Sequence, residues 1–91
     1  MKLIATPRFA RATKKPHPEE RAALDETVRA IAANPEIGEM KKGDLAGVRV
    51  HKVRLKAQLV LLAYRVVQDE DAIKLLAMGA HENFYRDLKR E

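Results

Sequence analysis

Apolar positions along the chain change their period once, and the change divides a helical first part from a stranded second part. Leu24, Val28 and Ile31 recur at i, i+4 and i+7 with Ala23, Ala30 and Ala32 beside them, while Arg21, Asp25, Glu26 and Arg29 take other faces. That spacing predicts an amphipathic helix with one side buried. Pro18, Glu19 and Glu20 suit its first turn, where proline costs nothing and carboxylates meet the positive end of the dipole. Asn34-Pro35 ends it at Ala33, because the residue before a proline is pushed out of the α region. A shorter helix from Pro7 to about Lys15, capped by Thr6, precedes it, and Leu3 to Ala5 reads as a short first strand.

Beyond a loop from Glu36 to Asp44, with Gly38 and Gly43 as turn residues, the pattern becomes that of strands. Val48–Leu55, Leu59–Val67 and Ala72–Met78 are β-branched or aliphatic runs separated by gaps of hairpin length. They predict an antiparallel meander whose middle strand, apolar on both sides, is central. The first run alternates with a slip near His51 and Lys52, which predicts a bulge there, with Val48, Val50, Val53 and Leu55 kept inward. Gly79 to Glu91 reads as a polar terminal helix anchored by Phe84 and Leu88.

The expected fold is therefore α+β: two N-terminal helices on one face of a small antiparallel sheet, with a possible short N-terminal strand and a C-terminal helix. Ninety-one residues bury one modest core, so residues 1–91 are read as a single domain. With only two Tyr and two Phe and no Trp, that core is aliphatic.

Charge adds a partner class. Lys and Arg number 18 against 13 Asp and Glu, a net +5 that attracts polyanions, whether nucleic acid or an acidic protein. The absence of cysteine excludes disulfides, thiolate nucleophiles and Cys-based zinc sites. The opening apolar run is too short for a signal peptide and charges interrupt every later run, so the expected location is cytoplasmic.

The order of elements, the Asn34-Pro35-Glu36-Ile37-Gly38 stretch, Gly43-Asp44-Leu45-Ala46-Gly47 before the sheet, Leu62-Ala63-Tyr64-Arg65-Val66 and His81-Glu82-Asn83-Phe84-Tyr85-Arg86-Asp87-Leu88 together resemble RelE/ParE superfamily toxins of type II toxin–antitoxin systems. The resemblance covers about residues 7 to 90. It implies a concave basic face formed by the sheet and the last helix, which in RelE-like members cuts mRNA on the ribosome. There the ribose 2′-hydroxyl attacks the adjacent phosphate, without metal. It also implies an acidic antitoxin as partner.

Such chemistry needs a base, an acid and fixed cations for the phosphate. Lys52 and Arg54, two apart on a strand, share a face and match positions where RelE-like strands carry cations. His81 and Tyr85, at i and i+4, share a helix face; the imidazole exchanges protons near neutral pH, and the phenol stacks on a base or holds the phosphate. Arg49, His51, Arg65 and Arg86 join Lys52 and Arg54 as candidate nucleic-acid-binding residues. Each has an ordinary structural reading as well: solvated strand cations, a helix-start histidine, a packed tyrosine. His17, between two prolines, and Glu82, in a first helical turn, are read as structural.

His81-Glu82 does not begin a zinc-protease H-E-x-x-H motif, because position 85 is Tyr. No glycine-rich phosphate loop or interleaved aromatic platform is present. One departure matters: many RelE-like central strands carry an Arg shortly before the tyrosine, where this chain has Val60-Leu61-Leu62. That favours the rival expectation, a ParE-like inhibitor of DNA gyrase with no hydrolytic chemistry. A non-toxic module for an acidic partner is a third.

Overall fold

A computed structural model of the chain describes residues 1–14, 18–55, 58–80, 84 and 88. They form β1 (Lys2–Ala5), α1 (Pro7–Ala12), α2 (Pro18–Ala33), β2 (Glu39–Met40), β3 (Arg49–Leu55), β4 (Gln58–Val67) and β5 (Ala72–Ala80). The five strands make one sheet in the order β1-β5-β4-β3-β2. The meander of β3, β4 and β5 is antiparallel as the hairpin-length gaps require, but β1 joins β5 in parallel, so the sheet is mixed. The two-residue β2, which adds antiparallel to β3, is a further departure from expectation. It is too short to carry an alternation that a sequence could reveal.

Local chemistry explains the helix starts and stops. The Thr6 hydroxyl accepts from the Phe9 amide and Pro7 takes the first helical position, while Asn34-Pro35 closes α2 where the sequence places its end. Thr6 does a second job: its hydroxyl meets the Leu75 and Leu76 carbonyls at 2.9 and 3.0 Å. Tyr64 pairs with Leu75 and Ala63 with Ala77, so Leu76 is the extra residue of a bulge. Thr6 thus satisfies backbone that the interrupted ladder leaves over.

The predicted bulge at His51 and Lys52 is not there. β3 and β4 pair without interruption from Arg49↔Tyr64 to Leu55↔Gln58. The apparent slip in the sequence arises because both faces of the sheet are covered, so apolar residues on either side are core. On one face Phe9, Leu24 and Ile31 of the helices pack with Val53, Val60, Leu62, Tyr64, Ile73 and Leu75. On the other, Val48, Val50, Leu61, Ala63 and Ala77 are buried with Phe84 and Leu88. Val53 therefore faces away from Val48 and Val50, contrary to the expected single inward side.

Phe84 and Leu88 are buried anchors as expected, on the face opposite α1 and α2. Gly79 and Ala80, expected to open the terminal helix, belong to β5 instead. Pairing with Leu61 and Val60 across the ladder outweighs the turn propensity of Gly79.

Candidate functional site: a cationic sheet face

Opposed residues of an antiparallel ladder project to the same side, so the register assigns each candidate a face. Lys52 pairs with Leu61 and Arg54 with Leu59. Leu61 belongs to the cluster with Phe84 and Leu88, which puts Lys52 and Arg54 on the face away from the helices. Arg65 lies two and four residues beyond Ala63 and Leu61 and so shares that face, as does Lys74, its partner across β5. Lys52, Arg54 and Arg65 are exposed. Among the described residues none of these three enters an ion pair, whereas Lys74 approaches Glu70 at 3.8 Å.

Arg49 and His51 point the other way. Arg49 pairs with Tyr64 and His51 with Leu62, both members of the helix-side cluster. The Arg49 Nη1 donates to the Gly38 carbonyl at 2.8 Å and to the Glu36 carbonyl at 3.4 Å, so it fastens the loop after α2. The strand's two-residue period separates these two from Lys52 and Arg54, although all four are close in sequence.

Tyr64 completes the fastening. Its side chain is wholly buried; the hydroxyl donates to the Pro35 carbonyl at 2.6 Å and accepts the Gly38 amide at 2.9 Å. A Cβ on Gly38 would stand 2.7 Å from that hydroxyl, which is why the Asn34–Gly38 stretch ends in glycine. Burial pushes the phenol above its ordinary pKa, outweighing the opposite pull of the Gly38 amide and the Arg49 charge.

His81, Tyr85 and Arg86, like His17 and Glu82, lie outside the described residues. Their neighbours Phe84 and Leu88 are described, and both sit on the face that bears Lys52, Arg54 and Arg65. Leu61, in the Val60-Leu61-Leu62 stretch that stands where many RelE-like strands carry an arginine, is 1% exposed and packed in that face's core. The alternation Ile73-Lys74-Leu75 signals the place of Lys74 on this face, but nothing local in the sequence signals that Gly47 lies against Arg65.

A cleft of about 380 Å³ lies elsewhere, lined by Met1, Pro35, Met40, Arg49 and Val66 among others. It adjoins the fastened loop, and Lys52, Arg54 and Arg65 do not line it. Among the described residues no group of His, Asp and Glu is arranged to hold a metal, and no helix is long and apolar enough to cross a membrane.

Comparison with solved structures finds the same fold in RelE proteins. A doubly substituted E. coli toxin RelE in the free state matches with a TM-score of 0.75 at 18% identity, covering 99% of this chain and 90% of that one. A chain of the intact E. coli RelBE toxin–antitoxin complex gives 0.72 at 18% identity, with 89% and 96% covered. The Mycobacterium tuberculosis RelBE2 toxin–antitoxin complex gives 0.69 at 21%, with 88% and 96% covered. No curated protein matches the sequence. Residues 3–89 match the family described as ParE-like toxin of type II bacterial toxin–antitoxin system, and the chain belongs to that family.

Proposed function

We propose that this toxin is an endoribonuclease that cuts mRNA by attack of the ribose 2′-hydroxyl on the neighbouring phosphate. The carrying observation is the pair Lys52 and Arg54, exposed and unpaired among the described residues, on the sheet face where Phe84 and Leu88 are anchored. Covalent connectivity keeps His81 and Tyr85 within three residues of Phe84. Lys52 and Arg54 hold the phosphate and stabilise the charge that builds on its oxygens. His81 exchanges the proton of the 2′-hydroxyl or of the leaving 5′-oxygen. Tyr85 stacks on a base or holds the phosphate. Arg65 and Arg86 extend the attraction for the strand. No step calls for a metal.

The partner that restrains it is an acidic antitoxin, supported by the net charge and by the toxin–antitoxin complexes among the structural neighbours. An acidic protein should be encoded beside it, and co-expression of the two should yield a complex and relieve growth arrest. Absence of both would count against the toxin reading.

One observation favours a second reading. Leu61 supplies core packing where RelE-like strands carry a cation, and the matching family is described as ParE-like. In that reading the chain inhibits DNA gyrase and cuts nothing. Purified protein added to a translation system and to a supercoiling assay separates the two. Cleaved mRNA with active gyrase supports the first; intact mRNA with inhibited gyrase overturns it.

A further inference from the structure

We infer that Arg65, seated on Gly47 and flanked by Lys74, is a second phosphate subsite for a nucleic-acid strand, separate from Lys52 and Arg54; this rests on the strand-cutting reading above. Lys52 stands opposite Leu61, and Arg65 is four residues further along β4, roughly 13 Å at about 3.3 Å per residue. The side chain adds to that separation. A Cβ on Gly47 would lie 2.9 Å from the Arg65 Nη1, so the guanidinium rests against the turn before Val48, on the side away from Lys52. One phosphate cannot meet both groups. Between them the sheet face is apolar, with Val48, Val50, Leu61 and Ala63 buried.

Three features make this a built position and not a stray surface arginine. Gly47 has φ of 89°, a left-handed conformation that glycine adopts without strain, and it presents no side chain to displace the guanidinium. Lys74 stands beside Arg65 across the β4–β5 ladder on the same face, drawn toward Glu70 at 3.8 Å. Among the described residues no carboxylate pairs with Arg65. An exposed planar donor that no carboxylate engages among the described residues suits a phosphodiester better than a single lysine would.

The test uses full-length protein and 2′-deoxy oligonucleotides, which bind without being cut, in a fluorescence-anisotropy titration at several salt concentrations. Wild type should gain affinity as the probe lengthens from a dinucleotide to a hexanucleotide. Arg65→Gln should lose most of that gain, about tenfold, and flatten the slope of log K against log salt by about 0.7. Arg65→Lys should restore the slope while recovering only part of the affinity. Arg65→Gln matching wild type in length and salt dependence, while wild type still cuts mRNA, overturns the subsite and leaves the cutting activity standing. Unchanged oligonucleotide binding with slower capture by an acidic antitoxin would overturn it in favour of a protein contact. Failure of wild type to bind any probe or cut mRNA removes the cutting activity and the subsite together.

Discussion

The two faces of the sheet share strands β3, β4 and β5 and do opposite things with their polar groups. On the helix side, Tyr64 and Arg49 are committed to the Pro35, Glu36 and Gly38 backbone. On the other side, Lys52, Arg54 and Arg65 have no such commitments among the described residues. A buried hydroxyl left without a partner is costly, so the helix side must satisfy its polar groups internally. Exposed cations keep their water and can exchange it for an anion. Charge type alone does not mark a site: Arg49 and Lys52 are three residues apart, and only the face on which each lies separates a fastener from a candidate ligand.

The largest expected break in this comparison is chemical. His81→Gln keeps a hydrogen-bonding side chain that cannot titrate, and mRNA cleavage should fall by about 10² to 10⁴ with the melting temperature unchanged. Cleavage at the wild-type rate would remove His81 from the mechanism.

A core lesion on the helix side should give the reverse profile. Ile31 is 0% exposed, and Ile31→Ala should cost about 2–5 kcal/mol of unfolding free energy. Lys52→Ala on the other face should change stability by less than about 0.5 kcal/mol, while weakening cleavage. Chemical denaturation of both variants sharpens the contrast; a Lys52 variant as unstable as the Ile31 variant would contradict the assignment of faces.

Tyr64→Phe is a smaller break and adds a pH signature. It leaves the Gly38 amide without its acceptor, at a cost of about 1–3 kcal/mol. Because the folded phenol holds its proton more tightly than the unfolded one, its contribution is complete below the ordinary phenol pKa of about 10. It is lost as pH rises from there through the raised native value. Thermal melts above that pH should destabilise wild type more steeply than Tyr64→Phe; parallel curves would mean Tyr64 is not the group responsible.

The smallest expected effect is none. Cleavage in excess EDTA, with ribosome integrity controlled separately, should match that in its absence if Lys52, Arg54 and His81 carry the chemistry. Loss of cutting restored by a divalent ion would break the metal-free mechanism.

Residue chemistry by itself determined the helices of the first part and the meander of the second. Thr6-Pro7, Asn34-Pro35 and the apolar spacing of Leu24, Val28 and Ile31 are local signals, and their hydrogen bonds and faces are settled within a few residues. It also marked Lys52 and Arg54 as sharing a face, since that follows from a strand's period of two. Which face they share follows from how the sheet is covered. Sheet coverage on both sides turned an expected bulge into an uninterrupted ladder, and it moved Arg49 and His51 to the helix side. The parallel docking of β1 on β5, the Thr6 clasp on the bulge at Leu76 and the rest of Arg65 on Gly47 join residues far apart in the chain. Such contacts depend on how whole elements stack, and no window of sequence contains both partners.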